Sequence, residues 1–87
     1  MTGRRLPDNE RTFSPGDYAK QIQDGKTTWM CRPPDCHLGN LGNHEVVEHE
    51  DGTITVSPSI RIDAHERHDG SCPGWHGFLE RGVWRSV

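Results

Sequence analysis

His44-Glu45-Val46-Val47-Glu48-His49-Glu50-Asp51-Gly52-Thr53-Ile54-Thr55-Val56-Ser57 decides the fold class of this chain. β-formers flank Asp51-Gly52, a dipeptide favoured in two-residue type I′ turns, where both central residues take positive φ. Taken literally, that turn sets Glu50 opposite Thr53, His49 opposite Ile54, Glu48 opposite Thr55 and Val47 opposite Val56. Side chains alternate between the faces of a strand. Val47, His49, Ile54 and Val56 then share an apolar face, while Glu48, Glu50, Thr53 and Thr55 meet water.

Downstream, Pro58 has no amide to give a ladder and forces a bulge, an edge or a break. Ile60 to Ile62 resumes a strand, and Asp63 to Gly74 is polar and loop-like. Trp75 to Trp84 reads as a closing hairpin turning at Arg81-Gly82, with Leu79 facing Trp84 and Glu80 facing Val83. Upstream, Arg32 to Asn43 is a loop rich in turn residues, and Thr27 to Cys31 is a strand. Ser14-Pro15-Gly16-Asp17 carries helix-start chemistry, which predicts a short helix from Pro15 to about Gln23 ended by Gly25. Residues 1–13 show neither period and read as a flexible arm ahead of one β-rich domain, 14–87. Trp29, Trp75 and Trp84 fall on strands and supply much of the core. The expected fold is mainly β: a small antiparallel sheet or partly open barrel of two hairpins, one short N-terminal helix, and a zinc-ribbon-like metal staple.

The staple is expected because 87 residues with 30% hydrophobic content give a thin core, and small domains in that position recruit a metal, disulfides or a partner. Thirteen acidic residues against ten basic ones give a net charge of -3, with no basic run beyond Arg4-Arg5. That pattern lacks the clustered positive surface of a nucleic-acid binder. No apolar stretch is long enough to cross a bilayer. Met1 to Glu10 is too polar for a signal-peptide core, so the expected compartment is the cytoplasm. There thiols stay reduced, and an odd count of three cysteines does not complete a disulfide framework.

All six histidines and three cysteines lie between Cys31 and His76. Tetrahedral zinc takes thiolate and imidazole ligands as two close pairs joined by the fold. Cys31 with Cys36, and Cys72 with His76, form two such pairs and a candidate Cys3His site. The plain alternative makes Cys31 a buried strand thiol and leaves Cys36 and Cys72 on the surface. His37 is an alternative ligand to Cys36; His65 and His68 read as solvated, and His44 as a surface residue. His49, on the apolar face of the literal register, is either a core histidine with a partner or part of a pocket with Glu45 and His76, where imidazole and carboxylate do acid–base work. No nucleophile motif or phosphate-binding glycine loop accompanies it.

Two stretches, His49-Glu50-Asp51-Gly52-Thr53-Ile54-Thr55-Val56-Ser57-Pro58-Ser59-Ile60 and Trp75-His76-Gly77-Phe78-Leu79-Glu80-Arg81-Gly82-Val83-Trp84, resemble a family of small uncharacterised bacteriophage and prophage proteins, related to a domain-of-unknown-function family with a proposed metal site. The resemblance runs from about Phe13 to the C-terminus. It implies phage origin, expression in a bacterium, and a cysteine pair before the first stretch matched by a Cys/His pair after Ser57-Pro58-Ser59-Ile60. Cys31 and Cys36 resemble the first pair and Cys72 and His76 the second, with looser spacings. No activity is implied.

Three function classes follow. The first is a phage accessory protein binding a host or phage macromolecule through a zinc-stapled module. The second is a metal-dependent hydrolase using His49, Glu45 and His76, and the third a small-ligand, nucleotide-like binder.

Overall fold

A computed structural model describes residues 1–67 and 70–87 of the chain. The expectation for His68 lies outside the described residues. Where the sequence predicts a helix, the chain extends. Strand β1 (Arg4–Arg5) runs parallel to β2 (Asp17–Gln23), which turns at Asp24-Gly25 into β3 (Lys26–Cys31), edged by β4 (Gly39–Asn40). The predicted helix from Pro15 to Gln23 is therefore replaced by a strand. An isolated helix of that length is marginal in water, and Gly16 sits at φ +95°, outside helical space. Asp24 and Gly25 both have positive φ (53° and 76°), so the Asp-Gly that closes this hairpin is the type I′ turn.

Alternation along β2 and β3 buries both faces. Tyr18 and Cys31, a cross-strand pair, point to one side. Ala19 and Met30, the next pair, point to the other and pack with Leu6 and Phe13. Residues 1–13 are thus laid against the sheet and do not stand apart from it as an arm. Leu6 donates its amide to Tyr18 O, and Trp84 donates its own to Met1 O.

The hairpin of β5 (Glu45–Glu48) and β6 (Ile54–Ser57) exists, but one residue out of the literal register. Val46 opposes Val56 and Glu48 opposes Ile54. The His49 amide bonds Thr53 O and the Gly52 amide bonds His49 O, making a three-residue loop in which only Gly52 takes positive φ. A one-residue slip exchanges the faces of a strand. Val46, Ile54 and Val56 therefore point inward, and Val47 and His49 point outward. Glu48 falls on the inward side and escapes at its edge, accepting from Arg5 (2.6 Å) and Lys20 (3.0 Å). Both cations lie over the Trp29 ring, at 5.1 and 5.4 Å from its centroid.

After Pro58 come β7 (Ile60–Ile62), β8 (His65–Arg67), β9 (Gly70–Cys72), β10 (Trp75–Glu80) and β11 (Val83–Ser86). Strands β11, β10 and β7 form an antiparallel sheet in that order. The Arg81-Gly82 turn has two positive φ angles, and Leu79 faces Trp84 with Glu80 facing Val83, as the sequence predicts. The predicted loop 63–74 holds a further hairpin, β8 with β9, projecting from the end of the β7–β10 ladder. Tyr18, Cys31, Leu41, Ile54, Val56, Ile60, Leu79 and Trp84 form the main core. Trp29 and Trp75 pack partly buried against it, and the Trp84 indole donates to Gly16 O at 2.8 Å. No helix among the described residues is long and apolar enough to cross a membrane.

Candidate metal centre

Cys36 is delivered by the 32–38 loop. Its amide bonds back to Pro33 O, and Asp35 before it takes φ +61°. Arg32 clamps the loop, donating from Nε to Cys36 O (2.7 Å) and from Nη1 to Phe13 O (2.8 Å). Cys72 is delivered by β9, where it stands directly across the hairpin from His65 of β8. Directly opposed residues hold their side chains on one face with Cβ atoms about 5 Å apart. Gly74, at φ +94°, turns its amide onto Cys72 Sγ at 3.3 Å. An N–H donor at sulfur stabilises thiolate charge and is a usual outer partner of a metal-bound cysteine.

Cys36 and Cys72 are both buried and joined by a disulfide, with Cα atoms 4.7 Å apart. The ligand atoms of Cys36, His65 and Cys72 all lie within 4.8 Å of one another. The His65 ring is oriented from behind: Nδ1 lies 2.9 Å from Asp63 O. A carbonyl only accepts, so Nδ1 carries the proton and Nε2 presents a bare lone pair. That Nε2 is buried without a hydrogen-bond partner. An unpaired buried polar atom costs about 1–3 kcal/mol, and a metal ion held with the two sulfurs would relieve it. A backbone carbonyl that fixes the ring through the other nitrogen is the arrangement of metal-binding histidines. His44 Nδ1 is the other such orphan among the described residues, and no group of three metal donors forms around it.

His37 flanks the group. Its ring centroid is 5.0 Å from that of His65, and its Nε2 faces Gly70 O at 3.3 Å, which leaves Nδ1 as the bare nitrogen. The His37 ring nitrogens fall outside the group whose ligand atoms lie within 4.8 Å of one another, which holds two sulfurs and one imidazole.

The other predicted site residues lie elsewhere. Cys31 sits in the main core, where burial pushes its thiol up to about 12 and leaves it inert. His76 is hydrogen-bonded through Nε2 to Ser59 Oγ at 2.9 Å. Of the predicted set, Cys36 and Cys72 meet, and the third donor beside them is His65, which the sequence reads as solvated. The missed signal was the hairpin hidden in 63–74, whose pairing alone sets His65 against Cys72.

The predicted catalytic group does not assemble. His49 bonds Thr55 Oγ1 at 2.7 Å on the outer face, and Glu45, four residues back along the strand direction, is about 13 Å away at the usual rise. Ser59 and His76 are spaced like a nucleophile and base, but no carboxylate among the described residues hydrogen-bonds His76. An open groove of about 910 Å³ lies on the other side of the first sheet, bordered by Phe13, Gln21, Ile22, Met30, Leu38 and Asn40. It contains neither tryptophan nor histidine, the lining expected of the nucleotide-like binder.

No protein-family model matches the chain, and neither a curated protein nor a solved structure was found similar to it.

Proposed function

We propose that this protein is a small β-sheet binding module, held in shape by a zinc ion on Cys36, Cys72 and His65. The observation that carries the reading is the buried, partnerless His65 Nε2 beside two buried sulfurs. Those donors tie the β8–β9 hairpin to the 32–38 loop, so metal binding there would add directly to folding free energy. The role follows from what surrounds the site. The groove on the first sheet is remote in sequence from the hairpin, and among the described residues no carboxylate joins the Cys36, His65 and Cys72 donor group. A binding surface on a metal-stapled scaffold accounts for both.

The resemblance of the two quoted stretches adds the setting: a phage accessory protein in the cytoplasm of a bacterial host, contacting a host or phage protein. An acidic chain with no basic run beyond Arg4-Arg5 suits a protein partner better than nucleic acid.

The test is elemental mass spectrometry of untagged protein purified in reductant, with thermal melts before and after chelation. About one zinc per chain and a lower melting temperature after chelation are expected, because metal-binding free energy becomes folding free energy. A chain that binds no metal when reduced sinks the reading. Turnover of a generic ester or phosphoester by the zinc form would replace the structural role with a hydrolytic one.

A further inference from the structure

Cys36 and Cys72 carry two mutually exclusive roles. Two thiolates on one tetrahedral zinc, at Zn–S distances of about 2.3 Å, stand about 3.8 Å apart, while a disulfide brings the sulfurs to about 2 Å. The chain holds the second state, with the sulfurs bonded. A disulfide accounts for the pairing of the sulfurs. It does not account for His65 Nε2, buried without a partner against them, with its tautomer set by Asp63 O. Nor does it need the Gly74 amide on Cys72 Sγ, which suits a charged sulfur better than a neutral one. The same corner is thus equipped for both bonding patterns.

Resting on the zinc reading above, we infer that Cys36, Cys72 and His65 form a redox-exchangeable staple: a metal-thiolate centre in the reduced chain, a disulfide in the oxidised one. The oxidant is a peroxide. One zinc-bound thiolate attacks a peroxide oxygen, the O–O bond breaks, and hydroxide leaves as the sulfur becomes a sulfenic acid. The second thiolate attacks that sulfur and displaces a second hydroxide, forming the Cys36–Cys72 bond. Two electrons pass from the sulfurs to the peroxide, two protons from solvent complete two waters, and zinc departs as the dication from a site left with the His65 imidazole alone. Thiolate attack on sulfenic acid is ordinary cysteine chemistry. The hairpin stays pinned throughout, because one bridge replaces the other between the same two points.

The experiment uses the full chain, reduced with a phosphine under argon and loaded with one equivalent of zinc. Hydrogen peroxide is then added. Released zinc is followed with a chromogenic chelator, and the cysteine state by peptide mass mapping. Zinc release is expected to match formation of the Cys36–Cys72 disulfide one for one, and fresh phosphine with zinc should restore the start. Both stapled forms should melt above the reduced, metal-free chain.

A His65→Ala variant, which keeps both sulfurs, should still form the disulfide but bind zinc at least about tenfold more weakly, the least that loss of even an outer partner brings. Zinc retained after the disulfide has formed, or release that leaves other oxidised products, overturns the exchange while leaving the zinc reading intact. A reduced chain that takes no zinc overturns both. Unchanged zinc affinity in His65→Ala removes His65 from the centre.

Discussion

Leu79 and Ile54 are wholly buried in the main core, whereas the β8–β9 hairpin offers His65, Glu66, Arg67, Gly70, Ser71 and Cys72, of which Cys72 alone is buried. The first region is held by apolar packing spread over many side chains. The second contributes no Leu, Ile, Val or Phe to any core and is fastened through sulfur, with the His37 contacts to Gly70 O and His65 beside it. Apolar burial stabilises at about 25 cal/mol per Å², and a hairpin with no such area must be tied by a bond. The difference explains how a chain with so little apolar content keeps eleven strands among its described residues. It concentrates its hydrophobic residues in the packed sheets and assigns the remaining hairpin to a cross-link.

Cys72→Ser breaks the comparison hardest. Opening a loop of 36 residues releases chain entropy worth about 4 kcal/mol. Denaturant unfolding of the oxidised chain should show that loss, and hydrogen exchange should place the new mobility in residues 63–74, with the core amides keeping their relative protection. Equal loss of protection in both regions would mean that the corner and the core form one unit.

Leu79→Ala should cost about 3 kcal/mol through transfer and cavity terms. Its cost should be the same with the corner stapled or open, since separate sites add. A cost that depends on the redox state of Cys36 and Cys72 would couple the two regions.

Asp17 gives a third, pH-dependent handle on the core side. Burial pushes its carboxyl up, but the Arg4 guanidinium, the Ser14 amide and the nearby Arg32 outweigh it and hold it below the usual carboxylate range. A lowered folded-state pKa stabilises fully above the unfolded value, about 3.9, and the contribution is lost as pH falls through the folded value. Asp17→Asn should therefore cost about 2 kcal/mol at pH 7 by loss of charge-assisted hydrogen bonds. Its melting temperature should fall less steeply than wild type between pH 5 and pH 2. Parallel acid limbs would remove Asp17 from the pH dependence.

The smallest effect tests a turn. A Cβ at Gly25 meets nothing within 4 Å, so Gly25→Ala carries only the strain of φ +76°, about 1 kcal/mol. At Gly82, with the same φ, a Cβ would come 2.8 Å from the Tyr18 hydroxyl oxygen and 3.0 Å from Thr53. Gly82→Ala should cost more in the same thermal melts, and equal costs would show that packing around Gly82 yields freely.

Among the described residues three short turns look alike, and their legibility differs for a physical reason. Arg81-Gly82 gave the right register from local sequence. Asp24-Gly25 is the type I′ turn of its hairpin, yet the helix-start residues before it drew the reading away. Asp51-Gly52 looks the same and closes a three-residue loop instead. There Asp51 Oδ1 accepts from the Thr53 amide and hydroxyl, and Arg5, forty-seven positions earlier, donates to Gly52 O. The last of these bonds is unreadable locally, and the slip it accompanies moved His49 out of the core and Glu48 to its edge. The candidate metal donors divide the same way. Cys36 and Cys72 stood out as reactive residue types, but His65 gained its place from strand pairing across 63–74.

By itself the sequence determined the β class and the closing hairpin and raised the expectation of a staple, because alternation, turn chemistry and scarce apolar residues act through neighbours or through composition. That staple was read as a metal on reduced thiols, whereas Cys36 and Cys72 are joined by a disulfide. Only the tertiary structure decided that 17–23 is a strand, that Asp51-Gly52 slips by one residue, and that His65 joins Cys36 and Cys72. Each of those outcomes depends on a partner distant in sequence: β3 for β2, Arg5 for Gly52, and Cys36 for the β8–β9 hairpin.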